Sequence, residues 1–355
     1  MSRRIFFGPE GIGTISRLRE QTAQNDAYSA MNSLVAAFAM LESPITKWLK
    51  FTGGVRIERF AQQVDSFSPI PNELDEKTKA NRSDLDFLPS AAFSFRLNKD
   101  MFIKLGYGMT VARPAIRELA PSTYVDFLRG WNVTGNENLN RTLIQNSEVR
   151  YEWYIGESDL FAATAFFKHF NDPIEFVVNN QVNRSASYAN ADKALLAGGE
   201  IESRIGLKAL SKKLEKFYFG GNLALVWSEE TFKPDNTISS TGKRRLFNQS
   251  NVVTNMSLRF DDPDSGVAAS LVYNFAGPRI TEVGGSAGTY LNPNVYEHSP
   301  HQLDFIASWK PTDTWKLKFK WKNMLFQNTE LKQGNAVVQR TDVGTSISVG
   351  AEYSY

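Results

Sequence analysis

Between Trp315 and Asn323 the chain reads WKLKFKWKN, so that Trp315, Leu317, Phe319 and Trp321 alternate with Lys316, Lys318, Lys320 and Lys322. Successive side chains of a strand point to opposite faces, which gathers the rings and Leu317 on one face and the ammoniums on the other. A helix would scatter both sets around its circumference and leave no coherent face. The segment is predicted as a strand with one very apolar face and one wet, charged face.

The same alternation recurs along the chain. Leu303, Phe305, Ala307 and Trp309 oppose Asp304, Ile306, Ser308 and Lys310, and Ile347, Val349, Ala351, Tyr353 and Tyr355 oppose Ser346, Ser348, Gly350, Glu352 and Ser354. About thirteen such strands are predicted, near 28–41, 48–60, 89–98, 101–112, 143–154, 159–178, 184–207, 216–228, 250–261, 265–276, 301–310, 314–325 and 345–355. The first, SAMNSLVAAFAM, is apolar on both faces and its pattern alone also permits a helix. Short links (42–47, 98–100, 155–158, 208–215, 262–264, 311–313) alternate strictly with long ones (61–88, 113–142, 179–183 with its strand extensions, 229–249, 277–300, 326–344). A meander with short turns at one end and long loops at the other matches an outer-membrane barrel, whereas a soluble sandwich has no reason to keep that asymmetry. The expected fold is thus all-β, an antiparallel up-and-down transmembrane β-barrel.

Aromatic placement follows the same geometry. Trp48, Trp153, Trp309, Trp315 and Tyr353 fall at strand ends on the short-turn side and Trp227 near the opposite rim, as expected of rings that settle at the two membrane interfaces. The opposite, inward face carries Arg56, Glu58, Lys104, Glu148, Arg150, Glu152, Glu200, Glu202, Arg259, Asp304 and the four lysines. A lumen this charged must hold water or a polar plug, because a dry core would require every charge to be paired. An odd count of antiparallel strands leaves the first and last running the same way. An even-stranded barrel then needs a further strand, or the chain is the C-terminal part of a larger barrel, the reading preferred here, with residues 1–27 as an outer-loop remnant and 28–355 as barrel.

Composition narrows the picture further. The formal net charge is only +2, and the basic residues do not gather in one patch, which argues against nucleic acid as the main partner. There is no cysteine, so no disulfide framework or thiolate metal site exists. The most apolar run, Leu34 to Leu41, is far shorter than the roughly 20 residues a membrane helix needs. The start, MSRRIFFGPEG, has no apolar stretch behind its arginines and is not read as an export signal. GPEGIG at 8–13 follows no strand and opens no helix, so phosphate cradling is not expected. His169, His298 and His301 lack acidic partners at ligand spacing and no Ser–His pair is identifiable, so neither a metal, a cofactor nor catalysis is expected.

Several motifs then converge in order. GMTVARPAIRELAPSTYVDF (108–127), GNENL (135–139), NSEVRYEWY (146–154), FFKHFNDPIE (166–175), LFNQSNVVTN (246–255), YNFAGPRI (273–280) and KNMLF (322–326) resemble the C-terminal barrel of TonB-dependent outer-membrane receptors, with Glu137 standing where the family usually has proline. The resemblance implies a barrel of about 22 strands closed by a plug, of which this chain would supply about thirteen. It implies an outer-membrane location in a Gram-negative bacterium and outer-membrane lipid as solvent. Its partners would be a plug domain and the TonB complex, reached through a missing N-terminal part, and the outer-membrane assembly machinery, which would read Tyr355 as the terminal aromatic signal. The implied function is uptake of a scarce nutrient of siderophore, cobalamin or glycan class, with no enzymatic activity. Arg113, Arg117 and Glu118 are read as a strand-end turn set by Pro114 and Pro121. Ligand contacts are expected on the long 113–142 loop, at Tyr124, Asp126, Arg129 and Trp131, where aromatic, charged and hydrogen-bonding groups combine. Two other classes remain open at this point: a passive porin or adhesive barrel, and a soluble antiparallel β protein.

Overall fold

Thirteen strands pair in chain order, every neighbour antiparallel, in one sheet of the computed structural model. The structure describes residues 27–67, 79–127, 130–156, 159–180, 183–232, 243–287 and 290–354. The wall strands are β1 (Ala27–Pro44), β2 (Leu49–Phe67), β3 (Lys79–Arg96), β4 (Met101–Ala112), β5 (Thr142–Ile155), β6 (Asp159–Asn171) and β7 (Lys193–Gly206). They continue as β8 (Phe217–Thr231), β9 (Val252–Asp262), β10 (Val267–Ala276), β11 (Gln302–Trp309), β12 (Trp315–Lys322) and β13 (Ser346–Tyr353). β1 and β13 do not pair among the described residues, so the sheet is open, as expected of an incomplete barrel. The ambiguous first segment is a strand, in unbroken register with β2 from Ala27↔Phe67 to Pro44↔Lys50.

The two faces of the wall sort as the alternation requires. One face exposes Val55, Ile57, Leu85, Phe87, Leu105, Val149, Phe167, Ile201, Leu223, Leu225, Met256, Leu258, Leu271, Leu317 and Val349. An exposed apolar band of this extent is sustained by lipid, since soluble monomers keep such patches small. No helix of the described residues is long and apolar enough to cross a membrane, which says nothing against crossing by strands. The rings of Trp48, Trp153, Trp227, Trp309, Trp315 and Tyr353 are likewise exposed on this face or at its rim. Trp315 and Tyr353 pack against each other at 5.1 Å and Trp48 stacks on Phe95 at 6.2 Å. Leu223 lies near the middle of β8, where an arginine would sit at the bilayer centre. Leu223→Arg is expected to destabilise the folded barrel by about 2–4 kcal/mol, read as a lower urea midpoint in lipid vesicles, while Asn222→Arg on the inward face leaves the midpoint nearly unchanged.

Short and long links alternate without exception, but two boundaries differ from those the pattern suggests. The link expected over 61–88 shrinks to 68–78, because β2 runs on to Phe67 and β3 begins at Lys79. Nearest the link, polar side chains stand on both faces, Gln62 and Arg82 on one and Gln63 and Asn81 on the other, so the amphipathic signal fades while the backbone ladder continues. The strands expected at 159–178 and 184–207 each break in two. The chain leaves β6 at Asp172, in left-handed conformation (φ 52°), followed by Pro173, which lacks the amide a ladder needs. Ile174–Asn180 and Ser185–Asn190 then form a separate four-stranded sheet with Thr123–Asp126 and Trp131–Thr134, and a second such sheet joins 279–282, 295–298, 329–333 and 336–341. The links between β4 and β5, β6 and β7, β10 and β11, and β12 and β13 thus carry folded structure of their own. Of residues 1–27, expected above as an outer-loop remnant, Ala27 opens β1; residues 1–26, and Tyr355 as the expected assembly signal, lie outside the described residues.

Candidate functional site

The link between β4 and β5 is built from its anchor outward. Arg113 leaves the end of β4 toward the inward face, where Glu58 of β2 and Asp86 of β3 stand directly opposite each other. Its Nη2 donates to Asp86 Oδ2 at 2.6 Å and lies 2.8 Å from Glu58 Oε2, and the guanidinium covers the Phe60 ring at 4.6 Å. Arg141, where the same link enters β5, donates from Nε to Asp86 Oδ1 at 2.5 Å and from Nη1 to Asp84 Oδ1 at 2.9 Å. The side chain of Asp86 is fully buried, and two arginines supply the hydrogen bonds and opposite charge that offset its lost hydration.

Between these clamps the link folds inward. Pro114 accepts a hydrogen bond from Gln62 Nε2 at 3.2 Å, and one helical turn, Ile116–Leu119, begins with the Ala115 amide donating to Glu118 Oε2 at 2.8 Å. Burial raises the Glu118 carboxyl above the usual carboxylate range. Leu119, Ala120 and Leu139 pack on Val64 and Ala80 of the wall. Gly135 is required here, because a Cβ would meet the Ala120 carbonyl oxygen at 2.1 Å. Asn136 then receives the Asn138 amide on its side-chain oxygen at 2.9 Å and donates to the Tyr188 carbonyl at 2.9 Å. Glycine, asparagine and leucine of GNENL therefore serve close approach, turn and core respectively, and Glu137 occupies the turn itself.

The expected contact residues fall in different places. Trp131 is 2% exposed, the centre of a loop core with Val133, Phe176, Val178, Ala186 and Val283. The Arg184 guanidinium covers its ring at 4.7 Å, and its Nε1 donates to Glu282 Oε2 at 3.4 Å. Tyr124 packs against the same core, its hydroxyl 2.9 Å from that of Tyr188 and its ring 3.6 Å below Arg117. Asp126 is partly exposed at the end of its strand, opposite Trp131. Arg129 lies outside the described residues. Tyr124 and Trp131 thus share one cluster, with Asp126 at its margin, and the hairpin tip presents Phe127, 92% exposed.

A second clamp, not anticipated from sequence, ties this platform to the far side. Arg244 sits between Glu175 of the loop sheet and Glu230 at the end of β8, 3.2 Å from Glu175 Oε2 and in contact with Glu230 Oε1. Burial, together with the neighbouring Glu230 carboxylate that shares this single arginine, pushes the Glu175 carboxyl well above the ordinary range. A raised folded value means that the folded state holds the proton more tightly. The stability this cluster gives the fold is then fullest in acid, where Glu175 holds its proton, and falls as pH rises from about 4.3, the ordinary glutamate value, through the raised one. Amide exchange across Ile174–Asn180, corrected for its intrinsic rate, should therefore accelerate with pH in the wild type and lose that dependence in Glu175→Gln. The distant partners explain why sequence missed this group: Glu175 and Arg244 are 69 residues apart.

The β-barrel model described as TonB dependent receptor-like matches residues 6–324. Solved structures share the fold. The ferric yersiniabactin uptake receptor of Yersinia pestis is 14% identical with TM-score 0.65, covering 92% of this chain and 46% of that one. The ferric-catecholate import receptor of E. coli K12 is 12% identical with TM-score 0.66, covering 92% and 45%. The hemophore receptor of Serratia marcescens, solved with its hemophore and heme, is 16% identical with TM-score 0.61, covering 91% and 51%. The chain spans about half the length of these structures. No curated protein matches it in sequence.

Proposed function

Since the chain belongs to the TonB-dependent receptor-like β-barrel family, whose members are transporters and not enzymes, we propose that it forms the C-terminal wall and outer loops of an outer-membrane receptor for TonB-energised nutrient uptake. The observation that carries this reading is the platform over the inward face. Loops locked to the wall by Arg113 and Arg141 can hold a ligand above the lumen, whereas a passive pore gains nothing from covering its own mouth. The nutrient is proposed to be of siderophore, cobalamin or glycan class, with contact at Tyr124 and Asp126, on the hairpin built on the buried Trp131, and at Arg129. Trp48, Trp153, Trp227, Trp309, Trp315 and Tyr353 take the headgroup level. A plug, the TonB complex and the assembly machinery are the partners this reading requires, in a Gram-negative outer membrane. The test is uptake of labelled nutrient by cells carrying the complete receptor gene. Uptake should stop when TonB is deleted, and uptake that continues undiminished would assign a passive porin.

A further inference from the structure

The inward charges are not evenly compensated around the wall. Over β2 to β7 several cations meet carboxylates, Arg56 with Glu58, Lys104 and Arg150 with Glu152, and Arg150 also with Glu202, while Lys168 donates to Asn146 and Arg96 lies over the Phe102 ring. The other edge differs. On β12, Lys316, Lys318, Lys320 and Lys322 all point inward, and only Lys318 reaches a carboxylate, Glu352 at 2.6 Å; the other three have none within ion-pair distance among the described residues. The one further acid on this part of the wall, Asp304, is turned to Gln302 and to the Asn323 amide.

What flanks the lysines is as telling. In register, Lys316 stands beside Glu352, Lys318 beside Ser308 and Gly350, Lys320 beside Ile306 and Ser348, and Lys322 beside Ser346. From Lys318 to Lys322 the ammoniums are thus flanked by hydroxyls, Ile306 and a residue without a side chain, a stretch that donates hydrogen bonds and holds no carboxylate among these register partners. Alternate residues of a strand are about 7 Å apart, so the row extends roughly 20 Å along the direction of passage.

We propose that this lysine row is a binding face for soluble polyanions, and that the solute moving along this wall carries two or more carboxylate or phosphate groups. The proposal rests on the uptake reading above and names its substrate class. Repetition favours a travelling solute over a docked protein segment: equivalent sites one after another suit an ion that must enter, step and leave, whereas a fixed partner needs a single register.

The test uses inorganic tripolyphosphate as probe and the full chain in zwitterionic detergent, which excludes lipid phosphate as a competing source. Reductive 13C-methylation of the lysines gives an NMR readout, assigned by single Lys→Gln variants. Tripolyphosphate should shift Lys316, Lys320 and Lys322. The quadruple Lys→Gln variant should bind about tenfold or more weakly with a flatter salt dependence, and the quadruple Lys→Arg variant should retain affinity. Absence of binding by the wild type, or equal affinity in the glutamine variant, overturns the proposal. So does tight binding of poly-glutamate without binding of tripolyphosphate, which would assign the face to an acidic polypeptide. TonB-dependent uptake without tripolyphosphate binding sinks the anion face alone, and the converse result sinks the uptake reading alone.

Discussion

Arg113→Ala is expected to destabilise the barrel by about 3 kcal/mol, the lower end of what removing one partner from a buried ion cluster costs. The substitution leaves Glu58 and Asp86 facing each other across adjacent strands with no cation between them. Asp86 keeps Arg141, which limits the loss, but Glu58 keeps only the half-exposed Arg56. The check is the urea midpoint in detergent micelles, compared with the triple variant Arg113→Ala, Glu58→Gln, Asp86→Asn. Removing the charges on both sides should restore most of the lost stability, because the penalty lies in the stranded carboxylates and not in the missing arginine contacts. A single variant as stable as the wild type would mean that water reaches the pair.

The second large effect is local. Trp131→Ala removes the largest side chain of the loop core and should cost about 3–5 kcal/mol within that sheet, with little change to the wall. Amides of 123–134, 174–180 and 185–190 should lose protection together while those of β2 to β8 keep theirs. Loss confined to 123–134 would show that the two hairpins fold independently.

How much could be read from the chain depended on where each residue sits relative to the bilayer. β12 was legible from eight residues because lipid on one side and water on the other impose strict alternation. Residues 61–67 and 79–83 were not, since polar side chains stand on both faces there, Gln62 and Arg82 on one and Gln63 and Asn81 on the other, while the backbone ladder continues. Asp84 and Asp86, two apart and so on one face, were a usable signal hidden by reading 61–88 as a loop. Trp131 looked like a contact residue because loops carry function, yet Trp131 and Val133 already alternate as core residues do, and what fixed them was pairing with a hairpin some 50 residues onward. Arg113 was placed correctly at a strand-end turn, but its role lies in carboxylates contributed by two other strands, which no local pattern reveals.

The parallel pairing of Ser185 and Ala186 with Asn132 and Val133 has a mechanical consequence. Two hairpins that rise from different parts of the rim are geared to one another through a shared backbone edge. One end of this plate is bolted to β2 and β3 at Arg113 and Arg141, the other to β8 at Glu230 through Arg244. A push on the tip near Phe127 is therefore expected to load both hairpins and, through them, the wall at both bolts.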